Sequence, residues 1–128
     1  MKKILFYTLI IFSVNIFYSD IVFSANELFR SKVSGNWNAT STWEMSTNGG
    51  GNWISATSTP TNLSGAITIT ISHVVTVTAD VTADQITIQI GATLSIDPGI
   101  TLTYPGNAST FTLSGATVSG AGTFKVQG

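Results

Sequence analysis

The pattern of hydrophobic and polar residues changes near residue 65. From residue 66 onward, apolar residues alternate with Thr, Ser and Gln in a series of short runs. A period of two places the apolar side chains on one face of a β-strand and the polar side chains on the other. The apolar residues are mostly β-branched or aromatic, which suits a half-buried pleated surface. The alternation therefore predicts strands at 67–71, 75–77, 86–90, 94–96, 100–102, 111–113 and 124–126.

Turn sequences separate the predicted strands. Asp97-Pro98-Gly99 fits a type II turn, with Pro at the second position and Gly at the third. Residues 105–107 and 119–122 contain further Pro or Gly breaks. Residues 25–64 are rich in Gly, Asn, Ser, Thr and Trp, which indicates loops and short strands. Because no segment after residue 25 has a helical period, we expect an all-β fold.

Internal self-similarity indicates how the strands are arranged. A constant spacing of 19 relates Val75 to Leu94 and Leu94 to Leu113. However, residues 91–93 match residues 115–117 at a spacing of 24, so the repeat is irregular. The spacing of 19 also relates Val77 to Ile96, Val81 to Ile100 and, over two steps, Ile86 to Phe124 and Ile88 to Val126.

A repeat of this length fits one coil of a β-solenoid, in which each coil stacks on the one before it. We therefore favour a single-stranded parallel β-helix over residues 65–128, preceded by a Trp- and Gly-rich cap over residues 25–64. The alternative is an antiparallel β-sandwich built from hairpins.

Residues 1–24 have the features of a secretory signal peptide in the expected order. Two lysines precede an apolar stretch from Ile4 to Phe17, and residues 22–24 end in a small residue at the cleavage position. A retained membrane anchor is the alternative, because the apolar stretch is almost long enough to span a bilayer. Asp20 and the polar sequence after it favour cleavage. We predict that the mature chain begins at Ala25, is secreted or held on the outer cell surface, and keeps no membrane segment.

Composition argues against several classes of function. Charged residues make up 9% of the chain and the net charge is −1, so the sequence offers no basic surface for nucleic acid. Cys is absent, which excludes disulfides, and a single histidine makes a transition-metal site improbable. No Gly-x-Ser-x-Gly motif accompanies that histidine, His73. We interpret His73 as a hydrogen-bonded structural residue and expect no catalytic residue and no cofactor.

Three aspartates, Asp80, Asp84 and Asp97, are the candidates for acid chemistry. Paired carboxylates serve in calcium binding and in glycoside hydrolysis. A polysaccharide lyase would also need a basic group, and Lys125 is the only Lys or Arg after Lys32. Turn positions explain all three aspartates, because Asp bonds its own backbone there. We favour the turn interpretation and keep calcium binding as the alternative.

The tryptophans Trp37, Trp43 and Trp53 lie close together among Asn, Gly and Thr residues. Such a mixture could stack against a sugar ring and hydrogen-bond its hydroxyls. The alternative is a structural cap, because a solenoid needs a special first coil to cover the end of its core. We favour the cap, since the segment directly precedes the regular alternation, and keep carbohydrate binding as the alternative.

Seven short segments, rich in Trp, Gly and Thr or alternating in polarity, form a recognisable series along the chain. They are Ser34–Asn38, Ser41–Glu44, Gly49–Trp53, Pro60–Asn62, Ile67–Ile69, His73–Thr78 and Gly91–Ile96. In these segments the sequence resembles the N-terminal region of large secreted or surface β-helical repeat proteins of Bacteroidetes-type bacteria, and it is similar to the G8 domain. The resemblance implies export, often through a type IX pathway with a C-terminal sorting domain, and further β-helical repeats.

The expected function is a non-catalytic secreted or cell-surface module with a structural or adhesive role. Two alternatives stay open: a carbohydrate-binding module that uses the tryptophans, and the N-terminal part of a larger extracellular glycan-active enzyme. The expected partners are an extracellular glycan or surface component and further coils of a longer chain. The expectation of further coils rests on residues 124–126, which alternate like one more strand and carry little charge to protect an edge.

Overall fold

A computed structural model describes residues 27–70, 72–106 and 110–128 of the protein. The predicted signal peptide, residues 1–24, lies outside the described residues. The described part is all-β, and its one helical element is a 3-10 turn, Thr40–Thr42. In chain order the strands are β1 (Leu28–Ser31), β2 (Gly35–Asn36), β3 (Trp43–Ser46), β4 (Ile54–Ser55), β5 (Ile67–Ile69), β6 (Val74–Val77), β7 (Val81–Thr82), β8 (Ile86–Ile88), β9 (Thr93–Ile96), β10 (Thr101–Tyr104), β11 (Phe111–Leu113), β12 (Thr117–Gly120) and β13 (Thr123–Val126).

The strands form three sheets. Sheet A has the order β11-β8-β5-β1-β3-β4, sheet B the order β12-β9-β6-β2, and sheet C the order β13-β10-β7. From β5 onward, consecutive strands join sheets A, B and C in turn, and the chain passes through this order three times. The described pairs among β5 to β13 are all parallel. The antiparallel sandwich is therefore wrong for residues 67–126, because hairpins would pair these strands antiparallel.

The pairing confirms the spacing of 19 for the first repeat in two sheets. Val75 lies opposite Leu94 in sheet B, and Ile67 lies opposite Ile86 in sheet A. In the next repeat the spacing is 24, because Leu94 lies opposite Val118. This step agrees with the sequence match between residues 91–93 and 115–117.

The other predicted equivalences fail because the connections between strands differ in length. The connection from β7 to β8 covers residues 83–85, whereas the connection from β10 to β11 covers residues 105–110. In sheet C the register differs already in the first repeat, because residues 78–80 connect β6 to β7 whereas residues 97–100 connect β9 to β10. The longer connection before β11 changes the spacing again in the second repeat. The structure pairs Leu113 with Ile88 instead of Leu94, Val81 with Leu102 instead of Ile100, and Phe124 and Val126 with Leu102 and Tyr104 instead of Ile86 and Ile88.

The alternating apolar residues form the core. Because successive strands are in register, each core row continues from strand to strand, as in Ile67, Ile86 and Phe111. One predicted inward position is wrong: Ile90 is 63% exposed, because β8 ends at Ile88. The positions predicted to share one core are confirmed as buried: Ile69, Val77, Ile88, Ile96 and Leu102.

The two ends of the parallel stack differ. At the N-terminal end, the antiparallel strands β3 and β4 extend sheet A beyond β1. The loop before β5 covers sheet C, where Asn62 N–H donates to the carbonyl of Thr82 at 2.8 Å. At the other end, β11, β12 and β13 are edge strands with no further partner among the described residues. Their apolar side chains Leu113, Val118 and Val126 are 50%, 40% and 61% exposed.

Candidate functional site

The two tryptophans at the N-terminal end are core residues. Trp37 and Trp43 are completely buried, and their rings meet edge to face with centroids 5.1 Å apart. Both indole N–H groups are satisfied, that of Trp37 by the carbonyl of Pro60 at 2.9 Å and that of Trp43 by the carbonyl of Trp37 at 2.8 Å. Sugar stacking requires an exposed ring face, which neither indole has. The burial therefore corrects the carbohydrate-binding interpretation for Trp37 and Trp43.

Trp53 is the one predicted sugar-stacking residue that keeps an exposed surface. It is half-buried, and the guanidinium carbon of Arg30 lies 4.3 Å from its ring centroid. Arg30 also pairs with Glu44 on the neighbouring strand, with Arg30 Nη2 and Glu44 Oε2 2.8 Å apart. An exposed ion pair of this kind adds less than about 1 kcal/mol to stability. One face of the Trp53 ring is thus occupied by a side chain of the protein itself.

The three candidate aspartates lie in separate connections. Asp80 precedes β7 and is exposed, Asp84 lies between β7 and β8 and is buried, and Asp97 follows β9. The turn predicted at Asp97 is confirmed, because Ile100 N–H donates to the Asp97 carbonyl at 3.1 Å and Gly99 has a φ of 78°. Within the described ranges, no three acidic or histidine side chains come together as a metal-binding group.

His73 takes part in a cluster that joins distant parts of the chain. Its Nδ1 atom lies 2.8 Å from Ser31 Oγ and 2.6 Å from Thr70 Oγ1. Ser31 Oγ also accepts a hydrogen bond from Thr70 N–H at 2.9 Å. The prediction that His73 is hydrogen-bonded is confirmed. Its partner Ser31 is far away in a sequence rich in Ser and Thr, so no local signal identified it.

The cluster is poorly placed for nucleophilic chemistry, although it contains a serine next to a histidine. Ser31 is only 3% exposed, so a substrate carbonyl has no approach to its hydroxyl. Thr70 Oγ1 donates to the Ser31 carbonyl at 3.1 Å, and this bond ties the end of β1 to the end of β5. The hydrogen bonds therefore fasten the first strand to the parallel stack.

A shallow groove lies on the outer face of sheet C. Its volume is about 330 Å³, and sequence reasoning did not find it as a site. Asp80 stands on one side, and its Oδ1 atom accepts a hydrogen bond from Thr101 N–H at 2.7 Å. The lining residues, which we call the sheet C groove, are Asp80, Val81, Thr82, Thr101, Thr103 and Lys125.

Comparison with known proteins gives no assignment. No protein family, no characterised protein and no solved structure matches the chain significantly. The resemblance to β-helical surface proteins thus stays a prediction from the sequence. In the part of the chain that the structure describes, no helix is both long enough and apolar enough to cross a membrane.

Proposed function

We propose that this protein is a non-catalytic structural or adhesive module of the β-solenoid type, exported to the cell surface or the medium. The observation that carries the proposal is the difference between the two ends of its parallel stack. At the N-terminal end, two completely buried tryptophans and the added strands β3 and β4 close the core, whereas the opposite end leaves the apolar side chains of three edge strands exposed.

The N-terminal end has the properties of a cap. Trp37 and Trp43 fill the end of the core, and the antiparallel strands β3 and β4 close sheet A. In sheet B, β2 pairs with β6, and Thr42 Oγ1 donates to the Asn36 carbonyl at 2.8 Å. Repeat arrays need a terminal unit that differs from the repeats and shields their core.

The open end has the properties of an unfinished stack. Leu113, Val118 and Val126 lie opposite Ile88, Leu94 and Tyr104, which are core or nearly buried residues.

Exposed edge strands with apolar residues are an association hazard that proteins normally cover. A further parallel coil with the same alternation would bury these rows and pair the free backbone groups. We propose that the coils of a longer chain supply this cover.

The experiment is analytical ultracentrifugation of the secreted protein, since uncovered edges should pair with a second copy. We expect concentration-dependent association of the unaltered protein and a largely monomeric Val126→Lys variant, because a buried lysine would oppose edge packing. Ser119→Lys is the matched control: it adds the same charge to an exposed position whose row partner, Ser95, is not a core residue. A wild-type protein that stays monomeric at high concentration would contradict the proposal.

A further inference from the structure

The sheet C groove lies across three adjacent parallel strands. Thr82 of β7, Thr103 of β10 and Lys125 of β13 form one row, because Thr103 lies opposite both Thr82 and Lys125. Neighbouring strands in a sheet are about 4.8 Å apart, so the row spans about two such steps. Thr101 and Asp80 lie beside this row and are joined by their hydrogen bond. The groove therefore presents its polar groups at fixed positions on a rigid sheet.

The polar groups of the groove include both donors and acceptors. Each threonine hydroxyl donates one hydrogen bond and accepts others, the Lys125 ammonium donates three, and a carboxylate accepts about four. The bond from Thr101 N–H to Asp80 Oδ1 uses only one of these acceptor positions and holds the carboxylate in place. Val81 lies opposite the buried Leu102 and its side chain packs against the core. A ligand that fits must supply several hydroxyl groups close together.

The charges and the size of the groove narrow the choice of ligand. Asp80 and Lys125 are its only charged lining residues, so their charges balance, and neither an anion nor a cation is favoured overall. The volume of about 330 Å³ is at the small end of the range for ligand pockets and suits one sugar ring rather than a long chain.

We propose that the sheet C groove binds a single neutral sugar residue of an extracellular glycan. The ring hydroxyls bond to the Asp80 carboxylate, the Thr103 hydroxyl and the Lys125 ammonium. No aromatic ring lines the groove, so stacking adds nothing, and the expected Kd for a free monosaccharide is on the order of 1 mM. The site differs from the predicted tryptophan site, and one of its residues, Lys125, lies on the edge strand β13 at the open end of the stack.

The test is saturation-transfer difference NMR on the intact chain, which works whether or not the protein self-associates. Glucose, galactose and N-acetylglucosamine are the probes, and glucuronate and inorganic phosphate are the charged comparators. We expect a signal from at least one neutral sugar and weaker signals from both anions. A preference for glucuronate or phosphate would overturn the proposal, because it would show that Lys125 acts without Asp80.

A matched pair of variants tests whether the sugar signal comes from the sheet C groove. Thr103→Val removes one hydroxyl from the groove, whereas Thr87→Val removes one from the outer face of sheet A, where Thr87 lies opposite Thr68. Both are half-buried strand positions, and valine keeps the shape of threonine. We expect Thr103→Val to weaken sugar binding at least about tenfold and Thr87→Val to leave it unchanged. Equal signals from both variants, or no signal from any neutral sugar with the unaltered protein, would overturn the proposal.

Discussion

The indole N–H of Trp43 donates a hydrogen bond of 2.8 Å to the main-chain carbonyl of Trp37, and the two buried rings meet edge to face. One side chain thereby satisfies a buried backbone acceptor and fills the end of the core. Trp37 in turn reaches the carbonyl of Pro60, so two indoles fasten three segments at the N-terminal end of the described fold. This packing depends on tryptophan in particular, because a large apolar side chain without an N–H would leave these carbonyls unpaired.

Replacement of Trp43 by Ala should lower the free energy of unfolding by about 3–5 kcal/mol, because it removes a fully buried ring and leaves a cavity. Urea denaturation followed by circular dichroism measures the change. Trp53→Ala is the control, since Trp53 is half-buried and its contact with Arg30 contributes about 1 kcal/mol. Similar losses from the two variants would contradict the assignment of Trp43 to the core of the cap.

The assigned strand register predicts a difference between neighbouring residues of β8. Ile88→Ala should lower the free energy of unfolding by about 2–5 kcal/mol, because Ile88 is completely buried between Ile69 and Leu113. Thr87→Ala should change the free energy of unfolding by less than about 0.5 kcal/mol, because Thr87 points away from the core. Equal sensitivity at the two positions would refute the register.

The alternation made the strands and their inward faces predictable, because a period of two is a local property of the chain. All seven predicted runs contain strands of the structure. After residue 66, two strands were not predicted: β7, which has only two residues, and β12, which has one large apolar residue, Val118. Neither contains two large apolar residues two positions apart, so neither shows an alternation.

Features that depend on pairing between distant residues were not predictable. The groove joins Asp80 and Thr101 to Lys125, which are brought together only because β7, β10 and β13 are in parallel register. The tryptophans illustrate the same limit. Their spacing in the sequence is compatible with a structural role or with a sugar-binding site, and only the burial of Trp37 and Trp43 argues against sugar binding. Local patterns specify which face of a strand is apolar, but not which strands are neighbours.

The cluster of Ser31, Thr70 and His73 predicts that replacing Ser31, although it is a small residue, destabilises the fold. Ser31→Ala should lower the free energy of unfolding by about 1–3 kcal/mol, because the partly buried Thr70 N–H would lose its acceptor. Thermal or urea unfolding measures this change. The control is Ser119→Ala, at an exposed position of β12, which should have almost no effect. If both serines tolerated alanine equally, the cluster would not fasten β1 to the stack.

The export prediction concerns residues 1–24. Because the charged, apolar and cleavage regions are in the expected order, the mature protein should begin at Ala25. Mass spectrometry of the secreted protein determines its N-terminus. An intact N-terminus in a membrane fraction would instead support the retained anchor.

The last prediction concerns Gly122, at the connection from β12 to β13. A Cβ atom at this position would overlap Ile96 Cγ2 and the Asp97 carbonyl oxygen, and it would lie 2.8 Å from the Ile100 carbonyl oxygen. Backbone atoms have no alternative rotamer, so Gly122→Ala must displace β13 from β10. Gly49→Ala is the control, because its positive φ of 71° imposes backbone strain while no atom lies within 4 Å of the added methyl group. We expect Gly122→Ala to lower the free energy of unfolding by more than the roughly 1 kcal/mol expected of Gly49→Ala. We also expect it to speed amide hydrogen exchange selectively in β13. Exchange in β13 that matched the unaltered protein would show that the close packing of Gly122 against Ile96 and the connection from β9 to β10 is not required.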